Sequence, residues 1–140
     1  MNIYFSCSLT GGRNDEGIYA LLVKHLVDNG HEVPTAHLAR PEIMTLEHSI
    51  DPDEVYERDI DWLQSCDAVI AEVSTPSHGV GYEIAYALCI DKPVLCLYAQ
   101  EAAVSKMITG NNSPNIIVSS YRDQKQALEI LDRFLTGLSE

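Results

Sequence analysis

Residues 68–90 read Ala-Val-Ile-Ala-Glu-Val-Ser-Thr-Pro-Ser-His-Gly-Val-Gly-Tyr-Glu-Ile-Ala-Tyr-Ala-Leu-Cys-Ile. The compact apolar run from Ala68 to Val73 predicts a buried strand, and the stretch from Val80 to Ile90 predicts a helix. Between them lie hydroxyls and glycines, Ser74 to Gly79. A buried strand, a short polar loop and a helix form the repeating unit of a parallel sheet covered by helices.

The same alternation extends outward in both directions. Asn2 to Cys7 reads as a nearly continuous apolar strand. Asn14 to Asn29 reads as an amphipathic helix, with Ile18, Leu21, Leu22, His25 and Leu26 on one stripe and Asn29-Gly30 as its stop. His31 to Pro34 is a weak strand, and Pro41 argues against a long helix over residues 35–50. Asp51-Pro52-Asp53-Glu54 is a helix start, with an N-cap aspartate, proline at the first helical position and acids in the first turn. Pro93 to Tyr98 and Asn115 to Val118 predict two more strands, and Arg122 to Leu138 a closing helix. The expectation is one α/β domain over residues 1–140, with a doubly wound, mainly parallel five-stranded sheet and helices on both faces, of flavodoxin or Rossmann type. In such sheets ligands bind beyond the carboxyl ends of the strands, so the informative loops follow Cys7, Val73 and Tyr98.

At 140 residues the chain is long enough to bury a core without staples. Its apolar fraction is 46% and its mean hydropathy −0.06, with no run approaching the ~20 residues needed to cross a bilayer. No membrane association is expected, and the start, which lacks a basic region, suggests no secretory leader. The formal net charge of −12 makes nucleic acid polymers poor partners but leaves room for a small anion held locally. Cys7, Cys66, Cys89 and Cys96 form no C-x-x-C pair and sit among apolar residues, so reduced, buried thiols and a cytoplasmic location are expected. The histidines show no metal spacing, and neither a metal nor a cofactor is expected.

Two carboxylates break their local rule. Glu83 is the only charge between Val80 and Ile90 and lies on the stripe of Val80, Ile84, Ala87 and Leu88. Asp59 lies among Val55, Trp62, Leu63 and Cys66 on the helix begun at Pro52, whereas Glu57 and Asp61 fall off that stripe. A buried carboxylate is costly unless a partner satisfies it or a function retains it, and both readings stand for each residue. Two inward carboxylates on separate elements also suit glycosidic chemistry, one as acid or base and one to trap an oxocarbenium-like centre. Two loops mix hydroxyls with glycines at helix starts, where backbone N–H groups attract phosphate: Ser6 to Arg13, and Ser74 to Gly81. Arg13 adds a forked cation, and Tyr4 approaches the end of its strand beside the predicted site.

The stretches IYFSCSLTGGR, ERDIDWLQSCDAVIAEVSTPSHGVGYEIAYAL and KPVLCLY together resemble the nucleoside 2-deoxyribosyltransferase superfamily, nearest to its 2'-deoxynucleoside 5'-monophosphate N-hydrolase branch. The resemblance implies a catalytic set of Glu83 as nucleophile, Asp59 assisting the leaving base and Tyr4 orienting the nucleophile. It implies substrate contacts from Ser8, Gly11, Gly12, Arg13, Ser77, Gly79 and Gly81. It also implies a homodimer in which Ser105 and Met107 complete the neighbouring subunit's site. Ser77 stands where transferases acting on unphosphorylated nucleosides carry an aspartate. A serine donates to phosphate where an aspartate repels it, so the substrate implied is a 2'-deoxyribonucleoside 5'-monophosphate. Cys7 replaces a family glycine and Thr10 a common basic residue. Two alternatives stand beside hydrolysis: a transferase exchanging bases between deoxynucleosides, and a nucleotide-binding sensor without turnover.

Overall fold

The computed structural model describes residues 1–9, 15–40, 42 and 47–140. Gly11, Gly12 and Arg13 of the first loop, and Thr10 beside them, lie outside the described residues, as does Pro41.

Four parallel strands form the sheet: β1 (Ile3–Ser6), β2 (Ala68–Glu72), β3 (Val94–Ala99) and β4 (Ile116–Tyr121), in the spatial order β1-β2-β3-β4. The helices are α1 (Glu16–Asp28), α2 (Pro52–Ser65), α3 (His78–Cys89), the short α4 (Lys106–Thr109) and α5 (Gln124–Leu138). A 3-10 turn spans Ala36–Ala39. β1, β2 and most of β3 are buried on both faces, which is why they read as continuous apolar runs.

The expected fifth strand is reduced to one parallel bridge, Asn2 with Glu32. Ile3 N–H donates to the Glu32 carbonyl at 2.8 Å and Glu32 N–H to the Met1 carbonyl at 2.9 Å. The next donor on that ladder would come from residue 34, and Pro34 has none. Phe5 N–H turns instead to the Thr35 hydroxyl at 2.9 Å. The last strand is longer than expected, because β4 runs on to Tyr121 in register with Ala99.

Period-2 alternation sorts the core into two layers. Ile3 and Phe5, with Ile70 and Leu97, pack against Leu22 and Leu26 of α1 and Leu131 and Phe134 of α5. Tyr4, Val69, Ala71 and Cys96 face the other way, against Leu63 of α2 and Val80, Ile84 and Ala87 of α3. Helices therefore cover both faces. α1 ends as its Asn-Gly predicts. Gly30 takes φ +80, a backbone shape that costs glycine least, and its N–H bonds Val27 O while His31 N–H bonds Leu26 O.

One expectation about burial is corrected. Cys7, Cys66 and Cys96 are buried thiols, but Cys89 is exposed. The cause is α3, which is not enclosed all round: Tyr82, Ala85 and Cys89 form an exposed face. The near absence of charge on this helix therefore does not mark it as a core helix.

The topology places the site. The segment at Glu32 lies on one side of β1 and β2 lies on the other, so the chain reverses direction across the sheet between β1 and β2. A crevice opens beyond strand ends at such a reversal. Here those ends are Ser6 and Glu72, followed by the two loops the sequence singles out.

Candidate active site

Glu83 stands in the second turn of α3, whose first turn is set by Ser77. The Ser77 hydroxyl accepts from Val80 N–H at 3.4 Å and caps the helix. This geometry aims the Glu83 side chain back over the end of β1, where the Ser6 hydroxyl donates a hydrogen bond to Glu83 Oε2. The Tyr4 ring is fully buried two residues earlier on the same face of β1. Its hydroxyl stands by Glu83 without reaching hydrogen-bond geometry with any described residue. Burial pushes the Glu83 carboxyl up to about 7. The Ser6 hydrogen bond opposes this, and the negative charge of Asp59 adds to it. Burial, then Glu83 and Asp59, raise the Tyr4 phenol far above its ordinary value, so it remains a neutral O–H donor.

Asp59 projects from α2 into the same space, with its side chain 17% exposed. Burial raises its carboxyl above the usual range, against the pull of the Arg58 guanidinium. Arg58 Nε donates to Asp59 Oδ1 at 2.9 Å and Nη1 to Glu47 Oε1 at 3.1 Å. The guanidinium lies 4.9 Å from the centre of the Trp62 ring, which fixes it from the apolar side. Trp62, read from the sequence as a stripe residue, thus supports the cation beside Asp59.

A cavity of about 340 Å3 joins these groups. Cys7 and Leu9 after β1, Val55, Tyr56, Asp59, Ile60 and Leu63 of α2, and Ser77, Gly79, Val80, Tyr82 and Glu83 around the start of α3 line it. The two carboxylates singled out in the sequence therefore share one cavity, with Tyr4 beneath Glu83. Ser77 and Gly79 are at the same place. Gly81, Ser105 and Met107 are not. They line a second cavity of about 860 Å3 on the other side of α3, which Ser77 also borders. Ser8 is fully buried, and its hydroxyl has no hydrogen-bond partner among the described residues. Among the described residues no group of three or more His, Cys, Asp or Glu could hold a metal, and no helix is long and apolar enough to cross a membrane.

Sequence reasoning missed Ser6 and Glu72. Glu72 is the sole charge in the buried β2 run, and that signal was available. It points to the face opposite Glu83, where Ser74 Oγ and, at 3.0 Å, Tyr121 Oη donate to it. Ser74 Oγ also accepts from Ala99 N–H at 2.8 Å, and Thr75 Oγ1 donates to Asp15 at 2.7 Å. These bonds tether the loop that carries Ser77 to β3 and to the start of α1. Burial pushes the Glu72 carboxyl up to about 7. A carboxyl raised in the folded state binds its proton more tightly there, so it costs stability as pH rises from the unfolded value toward 7. Glu72→Gln, which keeps an acceptor for Ser74 and Tyr121, should therefore gain stability relative to the parent by about 2 kcal/mol between pH 5 and 8. Parallel urea titrations at the two pH values measure this difference, and an equal gain or loss at both would contradict it.

The chain matches the family model described as nucleoside 2-deoxyribosyltransferase over residues 3–128. It is 42% identical over 113 residues to the 5-hydroxymethyl-dUMP N-hydrolase of Rattus norvegicus, covering 78% of this chain and 69% of that protein. It is 40% identical over 136 residues to a Methanosarcina barkeri protein with the provisional name 2'-deoxynucleoside 5'-phosphate N-hydrolase 1, covering 97% and 86% of the two chains. Among solved structures, the Clostridium botulinum CMP N-glycosidase BcmB superposes with a TM-score of 0.72 at 24% identity, over 95% of this chain and 99% of that one, which shows a common fold. The sequence match along most of its length, together with this fold, places the chain in the nucleoside 2-deoxyribosyltransferase family.

Proposed function

We propose that this protein hydrolyses the N-glycosidic bond of 2'-deoxyribonucleoside 5'-monophosphates, giving free base and deoxyribose 5-phosphate. The observation that carries this reading is the shared cavity: Glu83, held by Ser6, opens onto the same space as Asp59. The names borne by relatives at about 40% identity, both nucleotide N-hydrolases, support it.

In the first step a Glu83 carboxylate oxygen bonds to C1' as the C1'–N bond breaks, and the bond's electron pair leaves with the base. Asp59, whose burial favours its protonated form, gives the departing nitrogen a proton directly or through water. In the second step water attacks C1' and returns Glu83 as carboxylate, while the proton goes to Asp59. The missing 2'-hydroxyl eases the build-up of positive charge at C1'. Tyr4 acts as a positioning residue, its neutral hydroxyl poised beneath the nucleophile.

Ser77 supports the choice of a phosphorylated substrate. Its oxygen accepts from Val80 N–H, which leaves the hydroxyl proton for a phosphate oxygen at the start of α3. Ser77→Asp should raise KM for dGMP at least about tenfold through like-charge repulsion, while changing KM for deoxyguanosine far less. Steady-state kinetics on both substrates decide this, and an equal change in the two KM values would remove Ser77 from the phosphate site.

The reading includes a homodimer. Met107 is 84% exposed beside the larger cavity, and Tyr82, Ala85 and Cys89 form an uncovered apolar face on α3. Ser105 and Met107 lie away from the chain's own Glu83 cavity, as residues that serve a neighbouring subunit would. The net charge of −12 suits a mononucleotide substrate better than a polymer, and three buried thiols suit a cytoplasmic enzyme. Incubation with dGMP and separation of products tests hydrolysis. A second free base in the mixture would yield a new nucleotide if deoxyribosyl transfer competes with water, and binding without any product would indicate a sensor.

A further inference from the structure

We propose that Ser6 is a positioning residue of this reaction, holding one carboxylate oxygen of Glu83 by a hydrogen bond so that the other is the attacking atom. The inference rests on the proposed role of Glu83.

Ser6 is the last residue of β1 and is 1% exposed. Alternation along the strand puts it on the same face as Tyr4, toward α3. Its register partner on β2 is Ala71, whose methyl leaves space above the sheet for a carboxylate to descend from α3. Its hydroxyl donates to Glu83 Oε2, and it eases the ionisation of that carboxyl more than the neighbouring Tyr4 hydroxyl does. A buried hydroxyl with a single carboxylate partner has little rotational choice, so it fixes the carboxylate plane as well as its place.

The chemical need is plain. Removing Glu83 from water favours the protonated form, which is no nucleophile. The groups that face it are Tyr4 from β1 and Asp59 and Arg58 from α2, while Cys7, Tyr56 and Tyr82 line the same cavity. Asp59 pushes the carboxyl further toward protonation, and Arg58, spent on Asp59 and Glu47, gives the least relief of the groups acting on it. A neutral donor in direct contact stabilises the ionised form without adding a charge that would repel the positive centre at C1'.

The test compares the parent with Ser6→Ala and Ser6→Cys, the latter near in size and a weaker donor. Two readouts are taken: the pH profile of kcat/KM for dGMP, and the titration of the Glu83 carboxyl in ligand-free protein by carbon NMR with labelled glutamate. In Ser6→Ala the rising limb of the profile should move up by about one pH unit, with a smaller move in Ser6→Cys, and the carboxyl titration should move with it. KM well above the limb should stay within about twofold. A uniform rate loss at every pH with an unmoved limb, or an unmoved carboxyl titration, would overturn the proposal. If Ser6→Ala does not fold, the limb of Ser6→Cys decides. If the parent releases no base at all, the proposed reaction fails, yet the NMR titration still decides whether Ser6 holds Glu83.

Discussion

Glu83→Gln should lower the release of base from dGMP by about ten-thousandfold or more. The amide keeps the size of the carboxyl, and its oxygen still accepts from Ser6, so the fold and the cavity should survive. What it lacks is an oxygen with the charge to bond C1'. Nucleotide binding, read as thermal stabilisation by dGMP, should remain within a few-fold of the parent. The pair of readouts separates lost chemistry from lost structure. Activity within tenfold of the parent would mean that another group performs the attack.

Asp59→Asn should cost about a hundredfold or more with natural bases, because proton donation to a departing base contributes roughly that much. The loss should shrink sharply with 4-nitrophenyl 2-deoxyribose 5-phosphate, whose leaving group departs as a stable anion and needs no proton. The ligand-free protein carries a second signature. An ionised Asp59 raises the Glu83 carboxyl, so its removal should move the Glu83 titration, read by carbon NMR, to lower pH. This is the opposite of the shift expected on losing Ser6. Equal losses for both leaving groups would assign Asp59 to binding or to structure instead.

These predictions concern residues that differ in how plainly the sequence announces them. Glu83 and Asp59 are legible because a helix has a fixed period. A carboxylate that falls on an apolar stripe must either find a partner or serve a purpose, and the stripe can be counted from the sequence. Tyr4 is legible as a large polar aromatic in a buried strand. Ser6 is not, because a serine closing a strand looks like the first residue of any loop. Its importance comes from parallel pairing and from the descent of α3 over β1, both long-range facts. Glu72 was visible as a charge in a buried strand, but its donors Ser74 and Tyr121 come from a loop and from the distant β4.

The fold follows the same division. Buried parallel strands announce themselves by apolar runs, and α1 by its stripe and its Asn-Gly stop. The segment at His31–Pro34 misleads, since Glu32 does pair beside β1 while Pro34 withholds the next donor that a ladder requires. The open face of α3 misleads for a related reason: lack of charge reports that a surface avoids water, not which surface covers it. Ser105 and Met107 show where a single chain stops being informative. They border the cavity of about 860 Å3 rather than the one holding Glu83, and only a second subunit would relate them to a catalytic cavity.

The central claim is that Glu83 bonds covalently to C1' during turnover. Rapid acid quenching of the enzyme with dGMP, followed by proteolysis and mass spectrometry of the peptide spanning Glu83, tests it most directly. The account predicts a transient population of that peptide carrying one deoxyribosyl 5-phosphate group esterified to Glu83, which disappears as substrate is consumed. Release of guanine in the quench with that peptide unmodified and the sugar phosphate on a different side chain would contradict it.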